Sequence, residues 1–220
     1  MNECSYKEAV ENDKRSFFEY FVSLLKTKYW LVFCFYSNTD YNHITIKLSL
    51  FVFSFALYYT INTLFFDDIT MNKIYEDEGI FNFIYLLPKM IYSSLISSII
   101  MVIIKKLALS DTKIIEFKKK EIKECDNELS KLIKFLKIKF ICFFALSTVF
   151  LILFSYYVSC FCAVYKNTQI LLFEDTLISF GIHLLYPLIL YAIAAIIRTF
   201  SVQKPEQLLE FFYELSKLLL

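Results

Sequence analysis

The chain contains very little glycine and proline: two glycines and three prolines among 220 residues. Flexible linkers and phosphate-binding loops both depend on glycine, so the sequence offers neither. Its six cysteines are scattered and lack the spacing of a disulfide framework. Cys160 and Cys162 lie two positions apart and would face different sides of a helix. We interpret them as lipid-facing or packed thiols, the alternative being a metal or redox pair.

Other absences narrow the class of protein further. The net charge is +1, which gives no global field for nucleic acid, so we expect no nucleic-acid partner. Residues 1–15 are polar and acidic, unlike a cleavable signal peptide. No nucleophile–base pair or metal-ligand cluster stands in a plausible catalytic order. We therefore predict no catalytic residues, no cofactor and no metal, and expect that the protein is not an enzyme.

Long apolar runs are the main positive signal. The chain is 58% hydrophobic, whereas soluble domains are usually about 45–50% apolar. Three uncharged runs span residues 48–66, 140–165 and 176–197, and a fourth, 80–104, is interrupted only by Pro88 and Lys89. Runs of about this length predict transmembrane helices. The predicted fold is an all-α polytopic membrane protein with four transmembrane helices and amphipathic helices at both termini.

The distribution of Lys and Arg predicts the orientation. The stretch from Lys105 to Lys139 holds eleven basic residues, and residues 1–47 and 198–220 hold six and three. The two opposite loops hold one each, Lys73 and Lys166, and the first of these loops is acidic. Because basic loops stay on the cytoplasmic side, we expect both termini in the cytoplasm. We also expect the basic stretch to contact the anionic inner leaflet.

These signals divide the chain into five segments. They are a juxtamembrane amphipathic segment (1–47), a transmembrane pair with an acidic outer loop (48–104), a basic helical linker (105–139), a transmembrane hairpin (140–197) and an amphipathic tail (198–220). The first segment either lies in the headgroup region or packs on the other helices. Apolar residues recur every seven positions in the linker, which indicates either a short coiled coil or a solvated helix that continues a span.

Small and polar residues in the spans predict helix packing. Ser93, Ser94, Ser97 and Ser98 form two overlapping pairs of small residues four apart, which allow another helix to approach closely. Asn62 in the first span is expected to bond across helices in the same way. Other membrane protein subunits are therefore expected partners.

Ionisable residues within the spans are the remaining candidates. Lys89 lies about ten residues into the second span, where an unpaired Lys costs up to about 3 kcal/mol. We predict an ion pair with Glu174 or Asp175, or a side chain that reaches the outer headgroups; the alternative is a charge on an ion pathway. His183 lies near the middle of the fourth span. It is either a polar intramembrane site or a neutral His hydrogen-bonded to a neighbouring helix.

The order of these features resembles the membrane region of the larger polycystins and their protist relatives, over residues 25–198. An aromatic stretch at 29–35 precedes a span ending in Asn-Thr-Leu-Phe-Phe at 62–66, similar to the family's Asn-Ala-x-Phe-Phe. A span containing Leu87-Pro88, a long loop and a tight hairpin follow. The family's ectodomain, β-domain and six-helix channel core have no counterpart here. The resemblance therefore implies a receptor-like or scaffold part, in a plasma or ciliary membrane.

Overall fold

The computed structural model describes residues 6–36, 40–77, 83–119, 125–166, 168–203 and 207–218. Within these ranges the chain is helical and has no strand, which confirms the all-α prediction. The helices are α1 (Tyr6–Asn12), α2 (Phe17–Lys28), α3 (Trp30–Phe35), α4 (Ile44–Leu64), α5 (Asp68–Glu76), α6 (Phe83–Ala108), α7 (Asp111–Lys119), α8 (Cys125–Val164), α9 (Gln169–Gln203) and α10 (Gln207–Leu218).

Four of the described helices are long and apolar enough to cross a membrane. These candidate spans are Ile44–Leu64 in α4, Ile84–Ala108 in α6, Glu128–Val164 in α8 and Gln169–Val202 in α9, and each contains an apolar window of 18 residues. Each contains at least the roughly 20 residues that a bilayer core requires. The polytopic fold follows from these four helices.

The chain forms two compact units, one of residues 38–181 and the other of residues 1–37 together with 182–220. In the first unit, α4 packs against α6 and α8. Its buried face carries Leu50, Phe53 and Leu57. The Phe53 ring lies against the ring of Phe154 on α8, with centroids 5.8 Å apart. This central position explains why half of the apolar window of α4 is buried.

A second apolar cluster of the same unit lies where α5 meets the longer helices. Phe66, Met71, Leu86 and Phe161 are buried in it. Asp67 begins α5 as its N-cap and accepts a hydrogen bond from the Thr70 backbone, which stabilises the first turn. The acidic segment after α4 therefore forms a short helix that packs on the ends of the spans.

The other unit holds α1 to α3, the second part of α9, and α10. A capping box between Ser16 and Glu19 begins α2. Tyr20 and Leu24 of α2 are buried with Ala195 of α9, whereas Phe18 is exposed. Because α2 has one packed face and one exposed aromatic face, this helix can pack on another helix and contact lipid headgroups at the same time.

Helix α8 joins the basic linker to a transmembrane stretch without a break. It runs for 40 residues, or about 60 Å at 1.5 Å per residue. Residues 125–139 of the linker form its first part, so they continue the span as helix. Residues 120–124, which include the heptad position Ile122, lie outside the described residues.

Candidate functional site

Polar side chains from α4, α6 and α9 meet inside the unit of residues 38–181. Asn62 is 0% exposed, and its Nδ2 donates to Asp175 Oδ2 at 2.7 Å and to Thr176 Oγ1 at 3.1 Å. The Ser93 hydroxyl donates to Asn62 Oδ1 at 3.3 Å. We call Asn62, Ser93, Asp175 and Thr176 the Asn62 cluster. Its bonds join three of the four membrane-spanning helices.

The bonds of the Asn62 cluster follow from its burial within the protein. Buried polar groups have no access to water, so each needs a hydrogen-bond partner within the protein. Asn62 uses both ends of its amide, since its NH₂ group donates and its carbonyl oxygen accepts. One oxygen is the exception: Asp175 Oδ1 is buried without a hydrogen-bond partner, in a residue that is 3% exposed. That oxygen could hold a proton or contact a cation.

The four serines of α6 lie on two faces. Ser93 and Ser97 are buried, Ser94 is half-buried and Ser98 is exposed. The Ser97 hydroxyl is buried with no hydrogen-bond partner, as is that of Ser147 on α8. Ser93 and Ser97 therefore let a neighbouring helix of this unit approach α6 closely, whereas Ser98 faces outward.

Lys89 has a different partner from the one the sequence analysis predicted. Its ammonium lies 3.4 Å from Asp67 Oδ1 and also donates to the Thr70 hydroxyl. Asp175 is bonded by Asn62 instead, and Glu174 is exposed. The predicted ion pair of Lys89 with Glu174 or Asp175 is therefore wrong.

The direction of helical side chains explains this correction. Side chains on a helix lean toward its N-terminus, and Lys89 lies in the second turn of α6. The ammonium therefore reaches back to the N-terminus of α5, where Asp67 is the cap. Hydrogen bonds from the Thr70 side chain and backbone, with the charge of Lys89, hold the pKa of Asp67 below its ordinary value. Lys89 is thus paired near the end of the span.

His183 lies in the other unit, where it is half-buried on α9. It is not among the residues of the Asn62 cluster. Within the described ranges no group of three or more His, Cys, Asp or Glu residues could hold a metal ion.

Sequence reasoning missed a buried charge cluster in the unit of residues 1–37 and 182–220. Arg15 donates to both Asp13 oxygens at 2.6 Å, and Arg198 Nη2 donates to Asp13 Oδ2 at 2.7 Å. Arg198 is 2% exposed and its guanidinium lies over the rings of Tyr20 and Tyr213, 4.4 and 5.0 Å from their centroids. We call these five residues the arginine cluster.

A compositional signal could have found the arginine cluster. Only two of the 23 basic residues are arginine, Arg15 and Arg198, and both bond Asp13. The planar guanidinium of arginine forms buried ion pairs and stacks on aromatic rings more readily than the ammonium of lysine. Burial alone would raise the pKa of Asp13, but hydrogen bonds from Arg15 and Arg198 outweigh it and lower the pKa to about 2. The carboxylate is therefore charged at neutral pH.

Asn62, Ser93 and Asp175 are the sequence-predicted residues that come together. They are joined by Thr176, which the sequence analysis did not single out.

The resemblance to the polycystin membrane region stays a prediction. Comparison of the chain with protein-family models, with curated proteins and with solved structures finds no match.

Proposed function

We propose that the protein is an integral membrane interaction module, a scaffold or receptor-like part rather than a catalyst. The observation that carries this proposal is the Asn62 cluster, whose polar groups mostly bond one another between helices. Interhelical bonds of this kind hold membrane helices together. A conducting pathway would instead need polar groups that face a water-filled opening.

Surfaces outside the packed core support association with other membrane proteins. Only 11% of the apolar window of α8 and 17% of that of α9 are buried, against 50% for α4. These helices have broad apolar faces for lipid and for partner subunits. On α6, Ser98 faces outward, four residues from half-buried Ser94. Small residues at this spacing let a second helix approach closely.

The proposed orientation places both termini and the basic stretch, 105–139, in the cytoplasm, against anionic lipid. The membrane would be the plasma or ciliary membrane if the polycystin resemblance holds. Cysteines introduced at exposed Asn72 and Ser130, in a variant without native cysteines, test the orientation. They should label from opposite sides of sealed vesicles, and labelling from one side only would contradict the four-span topology.

A subunit of a cation channel or transporter is the second candidate. The unpartnered Asp175 Oδ1 favours it, because ionisable groups inside membranes often mark ion or proton pathways. In this function Asp175 would exchange a proton or cation while Asn62 holds its other oxygen.

Two measurements separate these functions, one on the purified chain and one in native membranes. The interaction module should give no conductance in a planar bilayer, and Ser98→Leu should weaken its assembly in native membranes while Ser98→Ala leaves assembly unchanged. Native gel electrophoresis of membranes solubilised in a mild detergent provides the assembly readout for both variants. Reproducible currents that are altered by Lys89→Ala, His183→Ala or Asp175→Asn would contradict the interaction module and support the channel or transporter subunit.

A further inference from the structure

A cavity of about 190 Å³ opens beside the arginine cluster. Its lining includes three cations, Lys14, Arg15 and Arg198, and one carboxylate, Asp13. The lining therefore carries two net positive charges. All of these residues belong to the unit of residues 1–37 and 182–220. Neither the fold nor the Asn62 cluster explains why a cavity in this small unit should be so basic.

The arginine cluster holds the two guanidinium groups in place. Asp13 accepts from both Arg15 and Arg198, and the Tyr20 hydroxyl accepts from Arg198 Nη1 at 3.2 Å. Aromatic rings flank the buried guanidinium. A binding group held in advance loses little conformational freedom when a ligand arrives. Planar guanidinium groups bind phosphate oxygens through paired, charge-assisted hydrogen bonds.

Lys14 distinguishes a binding site from a purely structural salt bridge. The contact between Asp13 and Arg198 needs only those two residues, and it is already complete. Lys14 is exposed and lines the cavity. Its charge raises the positive potential of the opening, which attracts anions from solution or from a membrane surface.

We propose that this cavity binds a phosphate group, with an anionic phospholipid headgroup as its source. Arg198 directly follows the uncharged run 176–197 of α9 and lies four residues before Val202, the end of the candidate span, so the cavity lies near headgroup depth. Phe18 of α2 and Phe211 of α10 are exposed in the same unit. Exposed aromatic side chains beside basic residues are typical of segments that lie in the membrane interface.

The test uses the full chain purified in a nonionic detergent. Short-chain phosphatidic acid is titrated, with short-chain phosphatidylcholine as the zwitterionic control, and binding is measured by native mass spectrometry and by the shift in unfolding temperature. Phosphatidic acid should bind at least tenfold more tightly than phosphatidylcholine. Binding should weaken as salt is raised, since the opening of the cavity reaches solvent.

Charge variants locate the site. Lys14→Glu should weaken the binding of phosphatidic acid about tenfold, and Arg15→Gln should weaken it by a similar factor. Lys28→Glu is the matched control, because Lys28 is also exposed but does not line the cavity; it should change affinity less than twofold. Because Lys14 is exposed, loss of folding does not account for its effect. Equal affinities of Lys14→Glu and the unaltered chain would overturn the proposal.

Soluble phosphates identify the source of the ligand. Inorganic phosphate and glycerol 3-phosphate should compete at least a hundredfold more weakly than phosphatidic acid, because they lack acyl chains to contact the exposed aromatic side chains. Competition at equal affinity, lost in Lys14→Glu, would keep the phosphate site and overturn its assignment to lipid.

Discussion

Replacing Asn62 by leucine should destabilise the unit of residues 38–181 by about 3 kcal/mol. Asn62 makes three hydrogen bonds inside this unit, and one of them goes to a carboxylate. A bond to a charged group contributes about 1.5–3 kcal/mol. Polar contacts between membrane helices contribute on average about 0.6 kcal/mol each. The carboxylate bond therefore supplies most of the expected loss.

A double-mutant cycle isolates that bond. Replacing both Asn62 and Asp175 by leucine removes donor and acceptor together, which is close to neutral for the bond itself. In the Asp175→Leu background, Asn62→Leu should therefore cost only about 1 kcal/mol, for the two weaker contacts. The expected coupling between the two positions is about 1.5–3 kcal/mol.

The assay is reversible unfolding of the purified chain in mixed micelles, followed by near-ultraviolet circular dichroism. This signal reports aromatic packing in the same unit, such as that of Tyr58 against Phe180 with ring centroids 5.5 Å apart. Ser98→Ala is the control, since an exposed position should shift the free energy of unfolding by less than about 0.5 kcal/mol. Costs for Asn62→Leu and Asp175→Leu that add to within about 0.5 kcal/mol would refute the bond as the origin of the stability.

Three further predictions concern other contacts. Because the pKa of Asp13 is lowered to about 2, the stability that its charge contributes should be complete above about pH 4 and lost toward pH 2. The free energy of unfolding should fall by about 1–2 kcal/mol over this pH window, and Asp13→Asn should remove this fall. Lys89 and Asp67 should couple by only about 0.2–1 kcal/mol in a double-mutant cycle, since the Asp67 side chain is 61% exposed; a value above about 2 kcal/mol would contradict a solvated pair. Ser97→Leu should destabilise the chain by about 1–3 kcal/mol by overpacking a buried position, whereas Ser98→Leu should leave thermal unfolding of the isolated chain unchanged.

The spans were predictable because their signal is local. Twenty or so consecutive apolar residues form a membrane helix whatever surrounds them, and α4, α6, α8 and α9 each contain such a stretch. Their ends differ from the predictions: α4 begins at Ile44, four residues before the predicted span, and α8 begins at Cys125, fifteen residues before its predicted span. Helix ends depend on caps, and His43 caps α4 through its side chain.

Contacts between distant residues were predictable only in part. The sequence analysis identified Asn62 as a residue that bonds across helices, but its partner Asp175 lies 113 positions away. Asp13 and Arg198 are separated by 185 positions, and no local pattern joins them. The wrong partner predicted for Lys89 has the same origin, since the depth of a residue along a span does not give the direction of its side chain. Pairing across helices depends on their rotation, which one sequence with weak periodicity does not specify.

The unbroken length of α8 joins the basic residues 125–139 to a candidate span in one helix. Its first fifteen residues, 125–139, project about 22 Å at 1.5 Å per residue beyond the apolar part. A tilt of about 20°, which is common among membrane helices, would swing the far end of that projection by about 8 Å. A change in the tilt of the span would therefore give a larger displacement at the basic end of α8 than within the bilayer.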